Sequence, residues 1–376
     1  MARGWINDPA RTSIQNLPRD DKSEVKRMFV SRFGEDGCMI EIDYSTLEIV
    51  VQALLTGDTN LIADVQAGVD FHCKRVGQVH DITYEDALFL CKEKPGEGEY
   101  DAKLAVYLET NKGVPTLDEH KLWKSHRSDA KIYSFQSAYG AGVSKIALTT
   151  GMTIEATQAL FDADKEMYPG IDIFDREVEI AIEDSSTLPD VPDDWFEPRW
   201  VPAAGRQVIF KKGVWHSPTG TRYVFQHDEA PSYLQQRGVY SSFSPTKRKN
   251  YPVQGTAGEF VTMIAGKLWR RFVQTANYKG NAFLVNTVHD CFWADAHKDV
   301  AMQVAADMKS IMTQIPFFLD QIFGIQSPVE FRSEVEIGLN MYDLHPPAAF
   351  VEHYPQFAPD AGKYKVHPLN FADLIV

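Results

Sequence analysis

The stretch Phe283-Leu-Val-Asn-Thr-Val288-His289-Asp290-Cys291-Phe-Trp293 is two apolar runs split by a polar pair. Strand-forming residues on both sides of a two-residue break read as a β-hairpin with its tip at His289-Asp290. Cys38-Met-Ile-Glu-Ile-Asp43 alternates as a half-buried strand does. From Ser45 the pattern turns helical, with Leu47, Val50, Val51, Leu54 and Leu55 on one stripe and Gly57 as the stop. Further out, helical patterns cover about residues 122–139, 254–272 and 297–313, and a strand is expected at 329–337. Residues 84–120 hold Glu, Lys, Gly and Pro without clear period and read as an insertion. Residues 185–235, punctuated by Pro189, Pro192, Pro198, Pro202 and Pro218, read as irregular structure carrying short strands. The plan is α+β, without the strict alternation of a parallel-sheet protein.

The 376 residues are enough for two or three domains, and 44% apolar with 24% charged residues is ordinary globular composition. Four cysteines, Cys38, Cys73, Cys91 and Cys291, stand far apart without a CxxC pair, which argues against a zinc site or a disulfide framework. A reducing, cytoplasmic setting fits that usage. The start lacks the apolar core of a secretory signal, and no apolar run is long enough to span a bilayer, so no membrane partner is expected. The net charge of −14 speaks superficially against phosphate binding, but the distribution of cations matters more. Basic clusters stand at Lys121–Arg127, Lys211-Lys212 and Lys247-Arg248-Lys249; each alone is more often a solvated face than a binding site.

Asp43 ends a strand and Asp290 sits at a hairpin tip. A carboxylate at a strand end is held by the sheet yet open to solvent, which suits a hard cation such as Mg²⁺. Two of them on neighbouring strands suffice for two ions roughly 3.5–4 Å apart, the spacing that activates an attacking hydroxyl and stabilises a leaving group. Each aspartate taken alone reads first as a surface turn residue, and sequence spacing does not place them together. On the helix at about 122–139, Arg127, Lys131 and Phe135 recur every fourth residue and fall within about 80° of one face. They span about 12 Å of rise. Two cations and an aromatic along that line match a triphosphate at one end and a sugar or base at the other. A solvated amphipathic helix closed by Tyr139-Gly140 is the alternative.

Asp43-Tyr-Ser-Thr-Leu-Glu48 resembles the first signature of the family A DNA polymerases, relatives of bacterial DNA polymerase I. Arg127, Lys131, Phe135 and Tyr139-Gly140 look like the second, on the fingers helix, and Val288-His289-Asp290 like the third. Asn250-Tyr-Pro-Val-Gln254-Gly-Thr-Ala resembles the helix before it, and Gln15-Asn16-Leu-Pro18 the stretch upstream of the first. The resemblance implies that Asp43 and Asp290, with the Tyr44 carbonyl, hold two Mg²⁺ ions, with Mn²⁺ as a substitute. It implies that Arg127 and Lys131 grip the triphosphate, Lys131 also serving catalysis, with His72 near the β-phosphate. Phe135 would pack on sugar and base, Tyr139 would guard the template-side pocket, and Glu48 would block a ribose 2′-hydroxyl. Ser45-x-x-Glu48 is also a capping box, and both roles stay open. Gln15, Asn16, Asn250, Gln254 and His289 would touch primer–template DNA.

The chain also departs from the family pattern. Val50 stands for an arginine, Gln136 for a glycine, Glu259 for an aspartate, and Cys291 for the acidic residue after the third-motif aspartate. The implied architecture is a right-hand palm from residues 1–57 and 243–345, with helical fingers at 58–242 carrying the two insertions and a C-terminal extension at 346–376. With 42 residues before Asp43, thumb and exonuclease domains are expected to be absent. The expectation is therefore a phage-type split DNA polymerase, in the host cytoplasm. A second polypeptide would carry the thumb and a 3′→5′ exonuclease, and a processivity factor would be a further partner; a trimmed chain is the alternative. Two rivals are a single-subunit phage-type RNA polymerase, disfavoured by Glu48 and Phe135, and an inactive polymerase-like subunit, disfavoured by the retained Asp43, Asp290, Arg127 and Lys131.

Overall fold

The computed structural model describes residues 24–111, 113–138, 140–187, 192–359 and 368–375, without the side chains of Phe135 and Ala138. Gln15, Asn16 and Tyr139 lie outside the described residues. In chain order come β1 (Gly37–Tyr44), α1 (Leu47–Thr56), α2 (Thr59–Ala67), α3 (Phe71–His80), α4 (Tyr84–Lys92), α5 (Tyr100–Thr110) and α6 (Leu117–Ala138). Next are α7 (Val143–Thr150), α8 (Ile154–Met167), α9 (Pro169–Ser185), β2 (Phe196–Val201), β3 (Arg206–His216), β4 (Arg222–Glu229), α10 (Ser232–Gln235) and β5 (Ser241–Phe243). The remainder is α11 (Pro245–Gln274), α12 (Ala276–Gly280), β6 (Ala282–Val288), β7 (Cys291–His297), α13 (Ala301–Met312), α14 (Ile315–Phe323), β8 (Ser333–Gly338) and α15 (Pro347–His353). Among the described residues no helix is long and apolar enough to cross a membrane. The chain divides into two units, residues 1–47 with 257–376, and residues 48–256.

The first unit is built on an antiparallel sheet in the order β6-β7-β1-β8. Contrary to the half-buried strand expected, β1 is buried at every position except Asp43. Its central place explains this. Tyr44 sends its hydroxyl to the Met312 carbonyl at the end of α13 (2.9 Å). Met39, on the opposite face, joins a cluster with Cys291, Trp293 and Met341. Alternation therefore distinguishes two buried faces here, not core from solvent. Along α11, Phe260, Ile264, Leu268 and Phe272 form the buried stripe that the sequence announces. Beside it Arg271 and Tyr278 both hold the buried carboxylate of Asp307 (2.8 Å each). That anchor restrains α12, where Asn277, Tyr278 and Lys279 all have left-handed backbone. The C-terminal segment packs through the buried Phe350, Phe357 and Leu374, and α15 lies against β8.

The second unit combines helices with another antiparallel sheet, β2-β3-β4-β5. Cys73 and Val76 of α3, Cys91 of α4, Ala130 and Tyr133 of α6, Ile146 of α7 and Leu160 of α8 share one core cluster. A second joins Val178 and Ile182 of α9 to Trp215, Phe225 and Phe243 of the sheet. The segment 84–120 is not structureless: it carries α4 and α5. Its period is muted because α5 buries only Tyr100. The segment 185–235 is likewise more regular than expected, with an eleven-residue β3. The described prolines do not interrupt the ladder, since Pro198 lies on the edge strand β2 and Pro192, Pro202 and Pro218 lie outside the strands.

Candidate active site

The hairpin forms as the sequence predicts, with Val288 paired to Cys291 across the His289-Asp290 turn. His289 takes φ 57°, a left-handed value that histidine adopts more readily than most side chains. Ile42 of β1 pairs with Phe292 of β7, and one and two steps further the same antiparallel register sets Asp43 level with Cys291 and Tyr44 level with Asp290. Adjacent strands lie about 4.8 Å apart, so Asp43 and Asp290 belong to one corner of one sheet. Both are half-buried. The Tyr44 phenol is pushed well above its ordinary range, by burial first and then by the nearby Asp290 charge. With that side chain fixed in the core, only the Tyr44 backbone is left to face the corner. On the other side of β1, Glu334 stands opposite Asp43 and Glu336 opposite Glu41. Like charges placed directly opposite are destabilising without a cation or donors nearby; Ser45 supplies one, its hydroxyl lying 3.3 Å from Glu334.

Among the described residues no three Asp, Glu, His or Cys side chains form a closed metal cage. A Mg²⁺ bound through one or two carboxylates, waters and substrate phosphates needs none, and the donor set of this corner fits that chemistry.

In the second unit, α6 begins five residues earlier than the apolar period suggests. Thr116 and Glu119 form a reciprocal capping box, with Thr116 N donating to Glu119 (2.7 Å) and Glu119 N to the Thr116 hydroxyl (3.2 Å). The helix ends at Ala138, and Gly140 beyond it has a φ of 71°; a Cβ there would sit 2.7 Å from the Thr246 backbone, so only glycine fits. Arg127 reaches Asp70 (2.7 Å), and the same carboxylate caps α3 by accepting from Cys73 N (3.0 Å). Burial pushes the Asp70 carboxyl up, yet the Arg127 bond, the Cys73 amide and the charges of Arg127 and Lys92 outweigh it and hold it well below the usual range. His72 shares a hydrogen bond with Ser134 (3.2 Å), which also accepts from Arg75 (2.7 Å). Burial and then the Arg75 charge lower His72 to about 4, with Arg127 and Lys131 contributing. His72, Arg127 and Lys131 thus form one group, with His72 neutral at pH 7 and Lys131 exposed.

Gln254 donates to Glu48 (3.0 Å), and Asn250 lies one turn earlier on α11. Gly255 lets the Tyr223 ring approach this helix, since a Cβ would meet it at 2.3 Å. The capping box proposed for Ser45 and Glu48 does not close in the expected way, because Ser45 N donates to the Arg332 carbonyl (2.9 Å). The basic run Lys247-Arg248-Lys249 is engaged with Asp228, Glu179 and Asp175, which explains how a cluster of cations can serve as a paired surface. Sequence reading passed over Asp70 and Glu41. Asp70 carries a readable signal, an acidic residue directly before a helix. Glu41 carries none, because its burial follows from strand order.

The family model for DNA polymerase family A matches residues 98–343. Among curated relatives, DNA polymerase I of Chloroflexus aurantiacus is 22% identical over 89% of this chain and 27% of its own length. The thermostable DNA polymerase I of Thermus thermophilus is 23% identical over 87% of this chain and 29% of its own length. The DNA polymerase of Bacillus phage SP01 is 21% identical over 85% and 28%. The chain therefore spans less than a third of the length of these relatives. Among solved structures, the POL domain of Pol1 from M. smegmatis, in complex with DNA primer-template and dNTP, superposes with a TM-score of 0.57 at 15% identity. It covers 88% of this chain and 45% of that one, a likeness of fold. With the model match extending over more than half of its residues, the chain belongs to DNA polymerase family A.

Proposed function

We propose that this chain is the palm and fingers of a template-directed DNA polymerase that joins a dNTP to a primer 3′-hydroxyl. The observation that carries this reading is the shared corner of Asp43 and Asp290, set by the register of β1 with β7. In this reading Asp43, Asp290 and the Tyr44 carbonyl hold two Mg²⁺ ions. When bound, the ions ease ionisation of the 3′-hydroxyl and neutralise the charge that builds on the pyrophosphate. Arg127 and Lys131 hold the triphosphate through charge-assisted hydrogen bonds. His72, neutral near pH 7, offers a donor without adding a repelling charge to the two cations. Phe135 packs on the sugar and base, Tyr139 guards the template-side pocket, and Glu48, steadied by Gln254, excludes the 2′-hydroxyl. Asn250, Gln254, His289, Gln15 and Asn16 meet the primer–template. Positioning and electrostatics supply the rate; no covalent intermediate is needed.

The net charge of −14 leaves the grip on duplex phosphates short of cations. Processive synthesis in this proposal therefore draws on a second polypeptide carrying a thumb. Primer extension in Mg²⁺ on a defined template, with four dNTPs against four NTPs, tests the function. Extension with dNTPs is expected; extension with NTPs alone would favour an RNA polymerase, and none with either an inactive subunit.

A further inference from the structure

Asp70 stands directly before α3 and offers one carboxylate to three donors. Its Oδ1 accepts from the Cys73 amide (3.0 Å) and so caps the helix. Its Oδ2 accepts from Arg127 Nη2 (2.7 Å). The ammonium of Lys92, the last residue of α4, stands 3.5 Å from that same oxygen. The Arg127 bond is therefore fully made, while the Lys92 contact lies at the outer limit of a hydrogen bond. Burial raises the carboxyl, but Arg127, the Cys73 amide and Lys92 outweigh it, so Asp70 is ionised at pH 7.

Arg127 is incompletely served by this pairing. Among the described residues its Nε is buried without a hydrogen-bond partner. The guanidinium thus meets its anion through one nitrogen, not through the two-bonded fork that arginine and a carboxylate often form. The Cys73 thiol also lies against it, but sulfur is a weak acceptor. Asp70 cannot turn to accept from Nε and Nη2 together, because Oδ1 is tied to the start of α3. A phosphate group, with several oxygens and no such tether, can. A buried donor without an acceptor is costly, so the resting pair favours exchange.

Departure of Arg127 would not strand Asp70. The Cys73 amide stays in place, and Lys92 has only to close from 3.5 Å on a long, half-exposed stem. The two cations are alternative partners of one oxygen. We infer that Asp70 and Lys92 form an exchange site for Arg127. Asp70 holds the guanidinium while no nucleotide is bound, Lys92 takes over the carboxylate when Arg127 turns to the triphosphate, and Asp70 reclaims Arg127 as pyrophosphate leaves. This inference rests on the proposed triphosphate role of Arg127. Asp70 and Lys92 are positioning residues: they set the fraction of chains in which Arg127 is free, and apparent affinity for phosphate falls with that fraction. Weaker holding of the substrate is matched by easier release of product, a step that often limits turnover.

The test is binding of inorganic pyrophosphate to the whole chain by calorimetry, with thermal unfolding and steady-state single-nucleotide incorporation measured beside it. Asp70→Asn keeps a good helix cap but removes the charge. It should tighten pyrophosphate binding and lower KM for dNTP, each about fivefold, and kcat should not rise. Lys92→Met, which keeps the stem, should act the opposite way, weakening both about threefold. The double variant should behave as Asp70→Asn alone, because Lys92 acts only through the carboxylate. Weaker binding by Asp70→Asn would make Asp70 a support that orients Arg127, and a lower melting temperature with unchanged binding would leave it a helix cap; either result overturns the inference. So would Lys92→Met matching wild type, or a Lys92→Met loss that persists in the double variant, since Lys92 would then meet the phosphate itself. If Arg127→Ala left pyrophosphate binding and KM intact, the reading of Arg127 beneath the inference would fall instead.

Discussion

Two regions share the proposed chemistry and are built in opposite ways. Asp43 stands on backbone fixed by its ladder pairing with β8, and Asp290 on a two-residue turn. The cations Arg127 and Lys131 and the neutral His72 stand on helices, held by other side chains, Asp70 for Arg127 and Ser134 for His72. A short carboxylate on a strand end has little freedom, so its place is set by register. A long cation on a helix keeps its reach, and its resting partner is one that a phosphate can replace. The difference suits the two proposed tasks, since metal ligands need fixed geometry while a group that receives a triphosphate has to exchange an internal anion for an external one.

The contrast also governs what breaks each region, and the largest effect belongs to the rigid one. Asp43→Ala or Asp290→Ala should lower single-nucleotide incorporation on the order of 10³-fold, the scale of losing a preorganised electrostatic group. Circular dichroism and primer–template affinity should change little. Near-normal incorporation by either variant would remove the carboxylate corner from the mechanism. On the helical side, Arg127→Ala should raise KM for dNTP roughly 10–100-fold, as loss of a charge-assisted bond worth about 1.5–3 kcal/mol does. Steady-state kinetics read it, and an unchanged KM would leave Arg127 as the structural partner of Asp70.

Smaller effects sharpen the comparison. Glu48→Ala should shift kcat/KM toward ribonucleotides by about tenfold, because a pocket that only excludes one hydroxyl discriminates modestly. Equal selectivity in both forms would leave Glu48 with its Gln254 contact alone. A separate effect is on stability against pH. His72 falls from an ordinary 6.5 to about 4 in the folded chain, through burial first and then the Arg75 charge. As pH drops, the unfolded chain takes the proton first, so the histidine removes stability from about pH 6.5 down to about 4 and none below. His72→Gln should therefore lose less stability than wild type between pH 7 and 4.5 in urea titrations. Parallel losses would mean that His72 is not shielded as the Ser134 and Arg75 contacts imply.

The two regions differed as much in legibility. The spacing of Arg127 and Lys131 was readable because a helix brings every fourth residue round to one side by local geometry alone. The hairpin at His289-Asp290 was readable for the same local reason. That β1 lies between β7 and β8 was not, because strand order is a long-range property, and with it went the burial of Glu41 and the closeness of Asp43 to Asp290. The helices of 84–120 were hidden because α5 is solvated on nearly every side and shows no stripe. The proline-rich 185–235 segment hid a regular sheet because its described prolines fall on an edge strand or outside the strands. The capping box at Thr116 and Glu119 was written in the sequence and marks the true start of α6.

The most direct test of the carboxylate corner is local cleavage by a bound metal. With Fe²⁺ in place of Mg²⁺, and ascorbate and hydrogen peroxide supplied, hydroxyl radicals formed at the ion cut the backbone beside it, and mass spectrometry locates the cuts. Fragments ending near residues 43 and 290 are expected, competed away by Mg²⁺ and lost together in Asp43→Ala. Cuts elsewhere, or cuts at those places that survive unchanged in Asp43→Ala, would contradict it.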